Sequence, residues 1–367
     1  MYLARLSVVN FKNIEDVSMD LAEKVNCFLG NNGAGKTSLL DAIYYLAFCK
    51  SFFNPIDSQN IRHDEGFFVI DGNIVLDGEE ERFFCGLKKG DKKHFKRNQK
   101  EYERLADHIG IIPLVMIAPA DTHLVTEGSD VRRKFMDGII SQYDRQYLDH
   151  LLHYNRLLAQ RNALLKHQWA ERKFDSLSLE VFDEQLHDLG TTIYAKRVSF
   201  LEGYLPIFNR FYALISGGAE TVSIEYDSAL NDTTLLELFN ASRDRDYRAQ
   251  YTTQGIHKDD LKFTIGGHPM KKFGSQGQIK SFVISLKLAQ FDYLKDIKQR
   301  KPILLLDDIF DKLDDQRVAA LMQLVSEEHF GQIFITDANL HRVPDLFKDE
   351  QVPLKKFLVE SGSIKEF

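Results

Sequence analysis

The run Gly30-Asn31-Asn32-Gly33-Ala34-Gly35-Lys36-Thr37 has the strongest chemical signature in this sequence. It fits G-x4-G-K-T, the pattern of a phosphate cradle. Glycines let the backbone curl until several N–H groups point at one anion. Lys36 is placed to reach β- and γ-phosphates, and the Thr37 hydroxyl is a ligand for Mg²⁺. Ser38 lies at the start of a following helical segment, whose N-terminal dipole favours the same anion. The chemistry implied is binding of a magnesium-bound nucleoside triphosphate.

A second group is Pro302-Ile303-Leu304-Leu305-Leu306-Asp307-Asp308. An apolar strand ending in two carboxylates would set them beside the cradle in a parallel sheet. Asp307 is then expected to hold Mg²⁺ through water, and Asp308 to orient or deprotonate the attacking water. Alone, the pair equally fits a solvated strand end.

A third group is Phe273-Gly274-Ser275-Gln276-Gly277-Gln278, which opens an amphipathic helix over residues 279–295. It offers a hydroxyl, small residues and free N–H groups at a helix start, a second anion site. One triphosphate does not need two such helix starts from one chain, so a second copy could supply this one. The plainer reading is a serine cap without a ligand.

These groups need elements to position them. Alternation predicts a strand over residues 3–10, and short apolar runs predict strands at 25–29, 67–75, 81–87, 263–265, 303–306 and 333–336. Helical periodicity is expected at 38–46, from 130 to about 167, from 179 to 215, and at 315–328. Gly217-Gly218 closes the third of these. The two central helices, separated by a polar turn at 173–178, should pack antiparallel. Their heptad order is poor and neither arm reads as long, which predicts a packed lobe without an extended coiled coil.

The chain has 367 residues, 44% hydrophobic and 28% charged, enough for two domains and too apolar for whole-chain disorder. No apolar run reaches the roughly 18 residues that cross a bilayer. Arg5 and Lys12 interrupt the early apolar residues, so no signal peptide is expected. Cys27, Cys49 and Cys85 are widely spaced and fit no disulfide or zinc pattern, so a reducing cytoplasm is expected. The net charge of −7 argues against DNA binding by bulk charge. Residues 82–104 nevertheless carry +6, leaving −13 elsewhere. This basic arm reads either as an ordinary solvated hairpin or as a phosphate-contacting arm.

The order of cradle, Ser-Gln-Gly-Gln and Leu-Leu-Asp-Asp is similar to that of ABC-type ATPases. Lys36 and Ser275 are 239 positions apart, too far for a transporter subunit, and no long coiled coil fills the interval. The chain resembles instead the RecF family of bacterial recombination and replication-gap repair proteins, relatives of SMC proteins. The likeness is carried by Leu6-x-Val8-x-Asn10-Phe11-Lys12-Asn13, by Pro119-x-Asp121, and by Gly128-Ser129-x-x-Arg132-Arg133-Lys134-Phe135-x-Asp137. It continues in Gln160-Arg161-Asn162-x-Leu164-Leu165-Lys166, Gly255-Ile256-His257-Lys258-Asp259-Asp260-Leu261 and Phe310-Asp311-Lys312-Leu313-Asp314. Two departures stand out. Ile256 and Lys258 replace a family Pro and Arg, and Ser51-Phe52-Phe53-Asn54 lacks an expected arginine.

The resemblance implies an α/β ABC-type ATPase head: a P-loop mixed-sheet lobe I over 1–118 and 298–367, and a mainly helical lobe II with an antiparallel hairpin over 119–297. It implies ATP and Mg²⁺ as cofactors, with Lys36, Asp307 and Asp308 catalytic and Thr37 and Asp307 holding the metal. Lys12 and Asn13 would lie near the base or ribose, with residues 30–38 around the phosphates. Ser275, Gly277 and Gln278 would reach the γ-phosphate held by another subunit, and Asp314 would form a D-loop across that interface. Thr336-Asp337 could sense the γ-phosphate. The implied protein is a cytoplasmic, non-membrane, slow ATPase that dimerises on ATP. It would bind double-stranded or gapped DNA and work with RecR and RecO type partners in loading RecA. DNA candidates are Lys92, Lys93, Lys96, Arg132, Arg133 and Lys134, with Lys271-Lys272. The alternative is an ABC-type ATPase subunit of a transporter or nuclease system.

Overall fold

The computed structural model describes residues 1–218, 220–309, 329–340 and 353–367. The expected helix at 315–328 and the Phe310–Asp314 motif, including Asp314, lie outside them. Two compact units emerge: 1–121 with 214–216 and 280–367, and 122–213 with 217–279.

The first unit holds two sheets. One runs β2-β1-β4-β5-β6-β7 and is antiparallel: β1 Tyr2–Phe11, β2 Ile14–Asp20, β4 Phe67–Leu76, β5 Glu79–Lys88, β6 His94–Arg97 and β7 Lys100–Glu101. Alternation along β1 places Leu6 and Val8 in the core. The other runs β15-β14-β3-β13-β12-β8, from β3 Val25–Leu29, β8 Leu114–Ile117, β12 Ile303–Asp307, β13 Ile333–Asp337, β14 Leu354–Glu360 and β15 Ser363–Glu366. All its pairings are parallel except the β14–β15 hairpin. Strands β3, β8, β12 and β13 are buried at every position, as expected for strands covered on both faces.

Helix α1, Lys36–Phe48, packs against strands of both sheets. That explains its composition: it is buried nearly all round, so it shows little amphipathic contrast. It extends beyond the expected 38–46 at both ends.

The second unit contains α2 His123–Thr126, α3 Ser129–Tyr143, α4 Arg145–Ala170, most of α5 Ser176–Ser216, α6 Leu235–Ala249 and α7 Met270–Phe273. It also holds the sheet β11-β10-β9, from β9 Val222–Asp227, β10 Asp260–Ile265 and β11 His268–Pro269. Helix α8, Gln276–Lys298, begins in this unit and continues in the first.

The periodicity from 130 to 167 is not one helix. Asp144 ends α3 in an extended conformation and caps α4, its carboxylate accepting from the Tyr147 N–H at 2.9 Å. Helices α4 and α5 are antiparallel, because Arg161 meets Asp183 while the earlier Asp144 meets the later Lys196. The expectation of two short arms fails for α5, which is 41 residues long and ends at Gly217 in the left-handed region. Arginines anchor it. Arg197, 2% exposed, binds Asp137, Asp259 and the Ile256 carbonyl. Arg161, fully buried, binds Asp183, Asp246 and Thr252 at 2.7, 2.8 and 2.9 Å. Much of the motif stretch through 132–162 and 255–261 therefore forms internal framework.

Candidate nucleotide-binding site

The turn from β3 into α1 forms a cavity of about 310 Å³, lined by cradle residues together with Lys12, Asn13, Asp307, Asp308 and Thr336. Gly30 has φ +149°, and a Cβ there would stand 2.3 Å from the Val359 carbonyl oxygen on β14, so only glycine fits. The β14–β15 turn also braces the cradle. The Gly362 N–H donates to the Ala34 carbonyl at 2.9 Å. Nothing in the sequence pattern signalled this support from the last residues.

Lys36 is 6% exposed and donates to the Gly30 and Asn31 carbonyls at 2.7 and 2.9 Å. Burial lowers its pKa, opposed by the nearby Asp308, Asp307 and Asp337. Asp307 ends β12 beside β13 and is 4% exposed. Thr37 Oγ1 donates to it at 3.0 Å and Thr336 Oγ1 at 2.8 Å. Burial raises the Asp307 pKa, while both hydroxyls and Lys36 work the other way. A buried carboxylate beside a cradle threonine fits Mg²⁺, which accepts hard oxygen ligands and takes few from protein. Among the described residues no group of three or more His, Cys, Asp or Glu is placed to hold a metal.

Asp308 adopts φ +47°, an uncommon backbone for aspartate and a site of stored strain. Its N–H donates to Thr336 Oγ1 at 2.9 Å. Thr336 is thus tied to both aspartates and orients them. The Asp337 carbonyl accepts from Gly30 N–H at 3.3 Å.

Asn13 straddles the cradle. Its Nδ2 donates to the Gly33 carbonyl at 3.2 Å, and its Oδ1 accepts from the Ser38 hydroxyl at 2.7 Å. Lys12 forms an ion pair with Asp41 at 2.6 Å. Asp41, fully buried, also accepts from the Ser51 hydroxyl at 2.6 Å and the Phe52 N–H at 2.7 Å. Sequence reading passed over Asp41, since its partners lie 10 or more positions away.

The Ser275 segment lies in the second unit. Ser275 N–H donates to Gln278 Oε1 at 2.8 Å, and Gln278 N–H donates to Ser275 Oγ at 3.2 Å. This is the reciprocal geometry of a capping box. Gln278 Nε2 donates to Glu220 at 3.0 Å. Gln278 is therefore engaged at both ends of its amide as an organiser of the helix start, while Ser275 stays exposed.

The basic candidates divide. Lys92 and Lys134 are exposed, as are Lys271 and Lys272, and Lys96 is half-buried. Lys93, named among the DNA candidates, is engaged within the chain: its ammonium donates to Asp57, Cys49 O and Tyr45 Oη at 2.6, 2.6 and 3.1 Å. It caps the C-terminal end of α1, where a cation is favoured. Arg132 binds Asp260 and the Leu124 and Glu127 carbonyls, and Arg133 binds the Asp259 carbonyl. These arginines are internal struts.

The model of the RecF/RecN/SMC N terminal domain matches residues 2–345. The DNA replication and repair protein RecF of Bacteroides fragilis is 50% identical over 367 residues, covering 100% of this chain and 98% of that protein. The chain belongs to the RecF family. The RecF of Flavobacterium johnsoniae is 50% identical over 97% of this chain and 99% of its own length. The solved structure of the recombination mediator protein RecF with ATP, in the RecFOR pathway, matches at a TM-score of 0.89 and 30% identity. It covers 100% of this chain and 97% of that one. An Smc head bound to the C-winged helix domain of ScpA matches at a TM-score of 0.60 and 13% identity, over 100% of this chain and 97% of that one, which shows the shared head fold. This chain therefore has an SMC-head-like fold, with no long coiled coil among the described residues.

Proposed function

We propose that this RecF family protein is an ATP-controlled clamp for DNA. Two copies close on ATP and hold double-stranded DNA at gaps or junctions. With RecO and RecR type partners they support RecA loading in the cytoplasm. Residues 1–118 and 298–367 serve as lobe I, and 119–297 as lobe II. The observation that carries the reading is the Thr37–Asp307–Thr336 cluster, which shares one cavity with Lys36 and the cradle. The ATP and RecFOR context of the similar RecF structure supports the nucleotide and the partners.

The Lys36 ammonium turns from the Gly30 and Asn31 carbonyls to the β- and γ-phosphates. Cradle N–H groups and the α1 N-terminus hold the remaining charge. Thr37 and Asp307 would hold Mg²⁺, which would neutralise charge on the phosphates. Asp308, on a backbone fixed by Thr336, orients the attacking water and accepts its proton. Ser275 and Gly277 of the second copy reach the γ-phosphate, with Gln278 shaping their loop and Asp314 at the same interface. Hydrolysis removes those contacts and loosens the dimer. Turnover is slow, since the nucleotide acts as a switch. Lys92, Lys96 and Lys134 contact DNA phosphates.

Asp308→Asn tests this. ATP binding should persist, hydrolysis should fall at least about 100-fold, and ATP-bound dimers should retain duplex DNA longer. Phosphate release reads hydrolysis, light scattering the dimer, and filter binding the retention of ATP and DNA. Normal hydrolysis by this variant would remove Asp308 from the catalytic role. A nucleotide-bound monomer would overturn the clamp.

A further inference from the structure

We infer that Phe53 is the platform on which the purine base of the bound nucleotide stacks, beside the Lys12 ammonium. The inference rests on the nucleotide reading above and extends it to the base.

The cavity has a direction. Lys36, Thr37, Asp307 and Thr336 gather at one end, which takes the terminal phosphates. Asn13 and Lys12 gather about Ser38 and Asp41, farther along α1. Sugar and base leave on that side. Phe53 lies there. Its ring centroid is 5.0 Å from the Lys12 ammonium, and 36% of the residue is exposed. An exposed phenyl ring carrying a cation on a face is a surface with affinity for a flat π system.

The ring is also held in place. Phe53 N–H donates to Ser51 Oγ at 3.2 Å, and Ser51 in turn donates to Asp41 at 2.6 Å. The Phe52 ring meets Phe53 edge-on at 5.0 Å and Tyr44 of α1 at 5.2 Å. Buried Asp41 thus fixes both Lys12 and the Ser51–Phe53 loop to the helix that carries the cradle. A platform set at fixed distance from the phosphate end is what a base subsite requires.

The test uses the full chain, with ATP and inorganic tripolyphosphate as separate calorimetric probes. Phe53→Leu keeps apolar packing and loses the flat ring. It should bind ATP about tenfold more weakly and tripolyphosphate as the parent does. Phe53→Trp should retain ATP affinity. Because the chain has one tryptophan, Trp169, a Trp169→Phe background makes the new indole the only one. Its fluorescence should be quenched by ATP and unchanged by tripolyphosphate. Unchanged ATP affinity in Phe53→Leu would overturn the inference. An equal loss for both probes would reduce Phe53 to packing and overturn it too. Failure of the parent protein to bind tripolyphosphate would overturn the cradle reading itself, and the base subsite with it.

Discussion

The Thr37 hydroxyl lies 3.0 Å from a carboxylate oxygen of Asp307, across 270 positions of sequence. Parallel pairing of β12 with β13, and of β13 with β3, produces this meeting. The carboxylate sits in a buried place and its hydroxyl partners are neutral, so its ionised form costs the fold stability.

Asp307→Asn should expose that cost. The folded-state pKa of Asp307 is raised above its ordinary 3.8, so the ionised form weakens the fold once pH exceeds that value. Without nucleotide, the variant should melt higher at pH 7, by about 2 °C, with the gain shrinking toward pH 4. Its magnesium-dependent ATP binding should collapse. A lower melting temperature at pH 7 would show that Asp307 stabilises the fold.

Two buried histidines set the acid limit. His108 Nε2–H donates to the Leu46 carbonyl at 2.6 Å and its Nδ1 accepts from Tyr102 Oη at 3.1 Å, while His257 Nε2–H donates to the Thr252 carbonyl and its Nδ1 accepts from Tyr154 Oη, both at 3.1 Å. Burial pushes each pKa from 6.5 down to about 4. Both stay neutral in the fold and take protons readily when unfolded. Their contribution is intact above pH 6.5 and is lost as pH falls toward 4, at most about 3 kcal/mol each. Urea midpoints between pH 7 and 5 should fall for the parent and less steeply for His108→Gln.

Removal of Arg161 should be costly. Arg161→Met leaves Asp183 and Asp246 buried without their shared cation, a loss of about 3–5 kcal/mol. Arg161→Lys should rescue only part of it, because a single ammonium lacks the planar fork that reaches Asp183, Asp246 and Thr252 together. Denaturant unfolding checks both variants.

The basic arm should separate into two behaviours. Lys92→Glu with Lys96→Glu should reduce the slope of log DNA affinity against log salt by about 2 and leave the melting temperature near that of the parent. Lys93→Met should lower the melting temperature, since it removes the cation from Asp57 and from the α1 end. Equal salt slopes in parent and double variant would clear the arm of DNA contact.

The cradle was legible because eight consecutive residues specify it, and buried parallel strands announce themselves as apolar runs. Asp307 and Asp308 were legible for the same reason. Asp41 was not, because its three partners come from Lys12, Ser51 and Phe52. Lys93 looked like one more solvated cation, since nothing local marks its burial against α1. Ser275-x-x-Gln278 has two local meanings, phosphate contact and capping box. Within one chain the geometry is a capping box, and the exposed serine hydroxyl remains open to the other meaning. Asp144 illustrates a different limit: hydrophobic periodicity runs through a break that one capping carboxylate creates.

The turn at Gly362 touches a loop made from residues in the thirties. The pocket near the start of the chain is therefore finished by its tail, and β3 finds its sheet neighbours only in strands written after residue 330. Synthesis must pass residue 362 before this cradle has its walls. A chain stopped before residue 330 carries the motif without the two strands that flank β3.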